Sequence, residues 1–184
     1  MSRLLKISNA KTRTILNKMV KIELIEKSSR RYGHSLSPYG KQVWMKCQTF
    51  IQIPSKRIYL GSSYTIGKKD AAVCVEGAGI ENLNTVILRD EALINGALGC
   101  TVFLKQPPMK FFLLDAIYPP LPKKELSDRK IKRKLITIIS DIPWSVSIII
   151  IGTADHVINA QIGAISAALL LLPSEIKYYF QELL

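Results

Sequence analysis

From residue 10 onward the apolar positions recur with helical spacing. Ile15, Leu16, Met19 and Ile22 share one side of a stretch covering 10–21, and Arg13, Thr14, Asn17 and Lys21 project from the other. Ser8 or Asn9 supplies a capping oxygen, and residues 2–7 read as a shorter helical fragment ahead of it. The period then shortens to that of strands. Residues 24–27 and 34–36 predict a hairpin whose turn, 28–33, is loaded with Arg30, Arg31 and Tyr32. Ser37-Pro38, a serine N-cap before proline at the first helical position, starts an amphipathic helix reaching about Phe50. On it Val43, Trp44, Cys47 and Phe50 form a packing or dimer face.

Around 54–61 the pattern changes and elements begin to alternate. Residues 71–75 predict a strand ending at Gly77-Ala78-Gly79, and 85–95 a helix stopped by Gly96 as a left-handed cap. Residues 101–104 and 110–114 form a hairpin around Pro107-Pro108, and 126–139 a basic amphipathic helix. The wholly apolar run 146–151 predicts a buried strand. A helix capped by Thr153 or Asp155 follows to Leu172, with Ala160, Gly163, Ala164, Ala167 and Ala168 permitting close packing, and a last helix follows Pro173. The fold class is thus α/β in the broad, α+β, sense.

Charge divides the chain in the same place. Residues 1–57 hold 13 Lys and Arg against two acids, net +11, whereas residues 58–184 hold 13 against 12, net +1. A block of that sign attracts nucleic acid or an anionic surface, unless it is simply a solvated basic face. Domains of 1–57 and 58–184 follow, with 38–50 as a linker helix. Cys47, Cys74 and Cys100 are far apart, without CxxC spacing or a neighbouring histidine, so neither a metal site nor a disulfide framework is indicated. There is no apolar leader, and the most apolar stretch, 158–172, falls short of the roughly 20 residues that cross a bilayer. The expected location is cytoplasmic, with no membrane contact and no cofactor.

Helix, turn, helix and basic hairpin within forty residues is an order that suits DNA, because a helix fits the major groove while the hairpin reaches backbone or minor groove. Arg13, Thr14 and Asn17 are the candidates for reading bases; Lys11, Lys18, Lys21, Arg30, Arg31 and His34 suit phosphates, with Tyr32 between them. The run from Ala10 to Ile25, then Arg30-Arg31-Tyr32-Gly33-His34-Ser35-Leu36-Ser37 and Gly40, resembles the recognition helix, wing and following helix of winged helix-turn-helix proteins. That resemblance implies a first helix that closes the core and is missing from 1–57, so either the true start lies upstream of Met1 or 1–57 is a partial winged helix. Residues 69–172 resemble an uncharacterised α/β domain attached to winged helices in archaeal proteins of unknown function. The resemblance lies in Arg89-Asp90-Glu91-Ala92, Gly96-Ala97, Gly99-Cys100-Thr101 and Ile151-Gly152-Thr153-Ala154-Asp155. It implies an archaeal regulator architecture and no activity.

Gly152-Thr153-Ala154-Asp155 reads as a strand-to-helix junction, where α/β sheets bind ligands and free N–H groups favour anions, with Gly77 and Gly79 on the same edge. Either these residues and Arg89 and Asp90 line an effector pocket, or the glycines make turns, Asp155 caps a helix and Arg89–Asp90 is a structural ion pair. Catalytic motifs are missing: there is no nucleophile elbow, no phosphate loop, and Gly77-Ala78-Gly79 lacks a third glycine. The expected function is a DNA-binding transcriptional regulator, no enzyme, acting as a homodimer on double-stranded DNA and responsive to a small-molecule effector. The alternative is a metabolite-binding protein or enzyme whose basic N-terminus is incidental or serves RNA.

Overall fold

A segment with one apolar and one charged side persists as a helix only if its apolar side is covered. The computed structural model describes residues 8–29, 33–61, 63–77, 83–114, 125–142, 146–174 and 176. It contains helix α1 at Asn9–Lys21, with Thr12 buried and Ile15, Leu16 and Met19 half-buried. The helix ends in a Schellman arrangement. Leu24 N–H bonds the Met19 carbonyl at 2.9 Å and Glu23 N–H the Val20 carbonyl at 3.0 Å, with Glu23 itself at φ +58. Strands β1 (Ile25–Ser29) and β2 (Gly33–Leu36) follow as an antiparallel hairpin, with Ile25 opposite Leu36 and Lys27 opposite His34.

Helix α2 (Pro38–Phe50) begins where the serine-proline pair predicts. Ser37 Oγ accepts the Gly40 N–H at 2.8 Å and donates to the Glu23 carbonyl, so one hydroxyl ties the start of α2 to the end of α1. Gly40 is needed there because a Cβ would stand 1.9 Å from the Leu24 carbonyl oxygen. Gly40, Val43 and Cys47 are the buried stripe of α2, and Trp44 is half exposed.

The chain divides into two compact units, Met1–Thr49 with Pro173–Leu184, and Phe50–Leu172. The change falls ahead of Arg57, where composition alone put it, because β3 (Ile51–Gln52) already pairs with β4 (Lys69–Glu76). The second unit continues with α3 (Thr85–Ile94), β5 (Gly99–Gln106), β6 (Lys110–Leu113), α4 (Arg129–Ile139), β7 (Val146–Ala154) and α5 (Val157–Leu169). The sheet runs β3-β4-β7-β5-β6 and every pairing in it is antiparallel, giving an α+β fold.

Central β7 is apolar throughout its middle because both faces of the sheet are covered, and Ile148 to Ile151 are fully buried. On one face Val73, Val102 and Ile150 meet Leu88 of α3 and Ala164 and Ala167 of α5. On the other, Phe103, Phe111 and Ile149 meet Ile58, Leu60 and the Ile131, Leu135 and Ile138 row of α4. Two expected boundaries move. Helix α4 starts at Arg129, three residues late, because Asp128 caps it through the Lys130 and Ile131 amides at 2.9 and 3.1 Å. Helix α5 ends at Leu169 rather than at 172.

Candidate nucleic-acid interface

Helix α1 carries no acidic residue. At about 100° per residue, Arg13, Asn17, Lys21, Thr14 and Lys18 fall within an arc of about 140°, opposite the side that carries Thr12, Ile15, Leu16 and Met19. All five are exposed. The two faces of the helix are therefore cleanly separated, three cations and two hydrogen-bonding side chains against an apolar row. Thr14 differs from its neighbours in that its hydroxyl donates back to the Ala10 carbonyl at 3.2 Å, leaving its oxygen lone pairs and methyl outward. Thr12, one position from Arg13, is on the covered side and bonds the Ser8 carbonyl at 3.0 Å.

Along the hairpin, His34 is exposed on β2 opposite Lys27, and Ser28 donates to Ser35 at 2.9 Å. Arg30, Arg31 and Tyr32 lie outside the described residues, as does the side chain of Lys11. The carboxylates of the unit's charged block, Glu23 and Glu26, line a separate groove of about 520 Å³ with Val20, Ser37 and Tyr39. Neither enters the polar arc of α1.

The residues expected to form an effector pocket are not brought together. Strand β7 continues through Ala154, since Gly152 pairs with Ala71 and Cys100, and Thr153 with Asp70 and Gly99. Gly152 and Thr153 are thus sheet residues rather than a strand-to-helix turn. Gly152 serves close packing, because a Cβ there would stand 2.2 Å from the Ala160 carbonyl of α5. Thr153 is buried and accepts the Gly67 N–H at 2.8 Å. Asp155 is exposed, and the N-cap of α5 is His156, without a side-chain cap bond, so neither Asp155 nor Thr153 caps it.

Gly77 follows the end of β4 that lies beside Val146, whereas Asp155 follows the end of β7 that lies beside Lys69. With eight residues of strand between them the two are roughly 25 Å apart, so an antiparallel sheet puts them at opposite edges. Gly79 is outside the described residues. Arg89 and Asp90 form an exposed ion pair at 3.0 Å, and of this set Arg89 alone lines a cavity of about 230 Å³, beside Tyr64, Cys100 and Thr101.

A different group converges without having been singled out. Asp70 Oδ2 accepts the Leu60 N–H at 2.8 Å and the Thr65 hydroxyl at 3.0 Å, and its cross-strand neighbour Thr153 holds Gly67. Thr101 donates to the Tyr64 carbonyl. These bonds press the segment 60–67 onto the sheet. Its preceding residues meet α4: the Lys134 ammonium donates to the Tyr59 and Leu60 carbonyls, Ser55 donates to Asp141, and Lys56 bonds Ser140 at 2.6 Å. The result is a groove of about 690 Å³ in which Arg57 and Tyr59 face Arg129, Lys130, Arg133 and Lys134. Local sequence shows that α4 is basic; the opposite wall depends on a tertiary clasp with no local signature.

Burial raises the thiol pKa of Cys47, and it pushes those of Cys74 and Cys100 up to about 12. Among the described residues there is no group of three metal-ligating side chains, and no helix is long and apolar enough to cross a membrane.

A family model described as Domain of unknown function (DUF4443) matches residues 66–172, nearly the whole of the second unit. No curated protein matches the chain. Among solved structures, a hypothetical protein from Pyrococcus horikoshii superposes with a TM-score of 0.69 at 22% identity, covering 100% of this chain and 88% of that one. At that identity the likeness is one of fold, and it extends over both units. Both findings fit an archaeal protein of unknown function.

Proposed function

The chain belongs to the family described as Domain of unknown function (DUF4443), and since that description carries no activity, we propose a function from the first unit: binding of double-stranded DNA by a winged helix-turn-helix, as a transcriptional regulator. The observation that carries the reading is the polar arc of α1, where Arg13, Asn17, Lys21, Thr14 and Lys18 are exposed together with no carboxylate among them. A helix so built presents hydrogen-bonding groups to base edges from its centre and charge to phosphates from its flanks. The hairpin that follows supplies a wing, and the Ser37 clasp fixes the entry of α2 against the end of α1. Arg13 and Asn17 are the base readers, Lys18, Lys21 and His34 the phosphate contacts.

Duplex binding has a quantitative signature. If about six phosphates are neutralised, log affinity falls with log salt at a slope of about −5. Arg13→Ala changes the preference among duplex sequences, while Lys21→Ala weakens binding to all of them. A full-length chain that shows no mobility shift of duplex DNA at low salt sinks the proposal. The dimer that a two-fold operator demands is read out in the same titration, as a complex of two chains per site.

A further inference from the structure

The basic groove of the second unit is independent of α1, and we infer that it is a second nucleic-acid site: Arg57, Arg129, Lys130 and Arg133 hold the phosphodiester backbone of a single strand, and Tyr59 stacks on one of its bases. Residues 50–172 carry 14 Lys and Arg against 10 acids, yet five of those cations occupy the six positions 129–134. Two are engaged within the fold. Lys132 pairs with Glu125 at 2.6 Å, and Lys134 is held by the Tyr59 and Leu60 carbonyls. Arg57, Arg129, Lys130 and Arg133 make no salt bridge among the described residues, and no carboxylate lines the groove.

This placement opposes local stability. Arg129 and Lys130 are the first two residues of α4, where the helix dipole repels cations, and Arg129 and Arg133 stand one turn apart as like charges. A polyanion removes both penalties at once. Of the available polyanions, a bilayer takes up a helix through an apolar face, and the main apolar row of α4 is in the core: Ile131, Leu135 and Ile138 are at most 3% exposed, with Ile136 alone of its isoleucines and leucine outward. A duplex keeps its bases stacked inside, whereas a single strand offers them to an aromatic side chain beside a charged groove. Tyr59 is such a side chain, 53% exposed on the wall opposite α4.

The test is fluorescence anisotropy of the full-length protein with labelled oligo(dT) and oligo(U) of about 15 nucleotides, between about 50 and 200 mM salt. Four phosphate contacts give a slope of about −3 in log affinity against log salt. The double variant Arg129→Glu with Arg133→Glu loses at least about tenfold in affinity, and Lys68→Glu with Lys69→Glu, an equal charge reversal elsewhere on the unit, loses less than about threefold. Tyr59→Ala loses at least about fivefold and Tyr59→Phe retains binding. Arg57→Ala, off the helix, loses affinity as well, and serves if the double reversal fails to fold. Equal losses from both double reversals, no single-strand binding at low salt, or binding confined to inorganic pyrophosphate or to anionic vesicles overturns the inference. Duplex affinity is titrated alongside: single-strand binding lost in Arg129→Glu with Arg133→Glu beside a retained duplex shift separates this site from that of α1.

Discussion

Glu23 occupies a left-handed conformation that a side chain disfavours by roughly 1–2 kcal/mol, and it does so because the chain must reverse between α1 and β1. Its side chain is exposed, so Glu23→Gly removes the strain without removing a buried contact. The variant is stabilised by about 1 kcal/mol, seen as a higher urea midpoint for loss of the first unit. Gly40→Ala acts in the opposite sense. A methyl forced against the Leu24 carbonyl must displace α2, and that change destabilises by roughly 3 kcal/mol or more in the same measurement. The cysteines give a chemical readout. With Cys74 and Cys100 pushed up to about 12, only about one thiol in ten thousand is ionised at pH 8, so both resist iodoacetamide in native protein and react after unfolding. That Cys74 is buried was readable from its place in the run 71–75, which predicts a strand, whereas Cys100 is only half-buried. The role of Glu23 was not, since only the φ angle distinguishes it from any exposed glutamate.

Among elements, those with their own start and stop signals were readable. Ser37-Pro38 marks the start of α2, Pro107-Pro108 the turn between β5 and β6, and the 3.6-residue spacing the body of α4. What eluded the pattern depends on pairing. Gly152-Thr153-Ala154 has the composition of a turn, but strands on both sides extend β7 through it, and this dissolves the expected ligand site. The clasp between 55–60 and α4 is likewise tertiary. Asp128→Ala, which removes the cap of α4, costs about 1 kcal/mol. At the other end of α4, the Ser55 hydroxyl donates to Asp141 and holds its carboxyl below the usual aspartate value of 3.8. A folded-state pKa lowered in this way contributes stability that is present above the unfolded pKa and is lost as pH falls through the folded value. In an NMR titration the Asp141 carboxyl therefore has its midpoint below 3.8, and Ser55→Ala moves it up.

For the whole molecule, charge asymmetry was the most informative feature of the sequence and also the most misleading. It identified the first unit as the basic one, and it gave the other unit the character of a neutral domain, because an average over that unit conceals five cations on one helix. The expected ligand site also relied on Gly77 and Asp155 sharing one edge; antiparallel pairing sends them to opposite edges. What remains is a chain with two cationic faces, one on α1 and one on α4. The first is decisive for the proposed function. Titration of the full-length protein against a labelled duplex at several salt concentrations, for the wild type and for Arg13→Ala, tests it most directly. The account predicts a slope of about −5 in log affinity against log salt, with a changed order of preferred sequences in the variant. A duplex that stays unbound at low salt, or that binds both proteins with the same affinities and preferences, contradicts it.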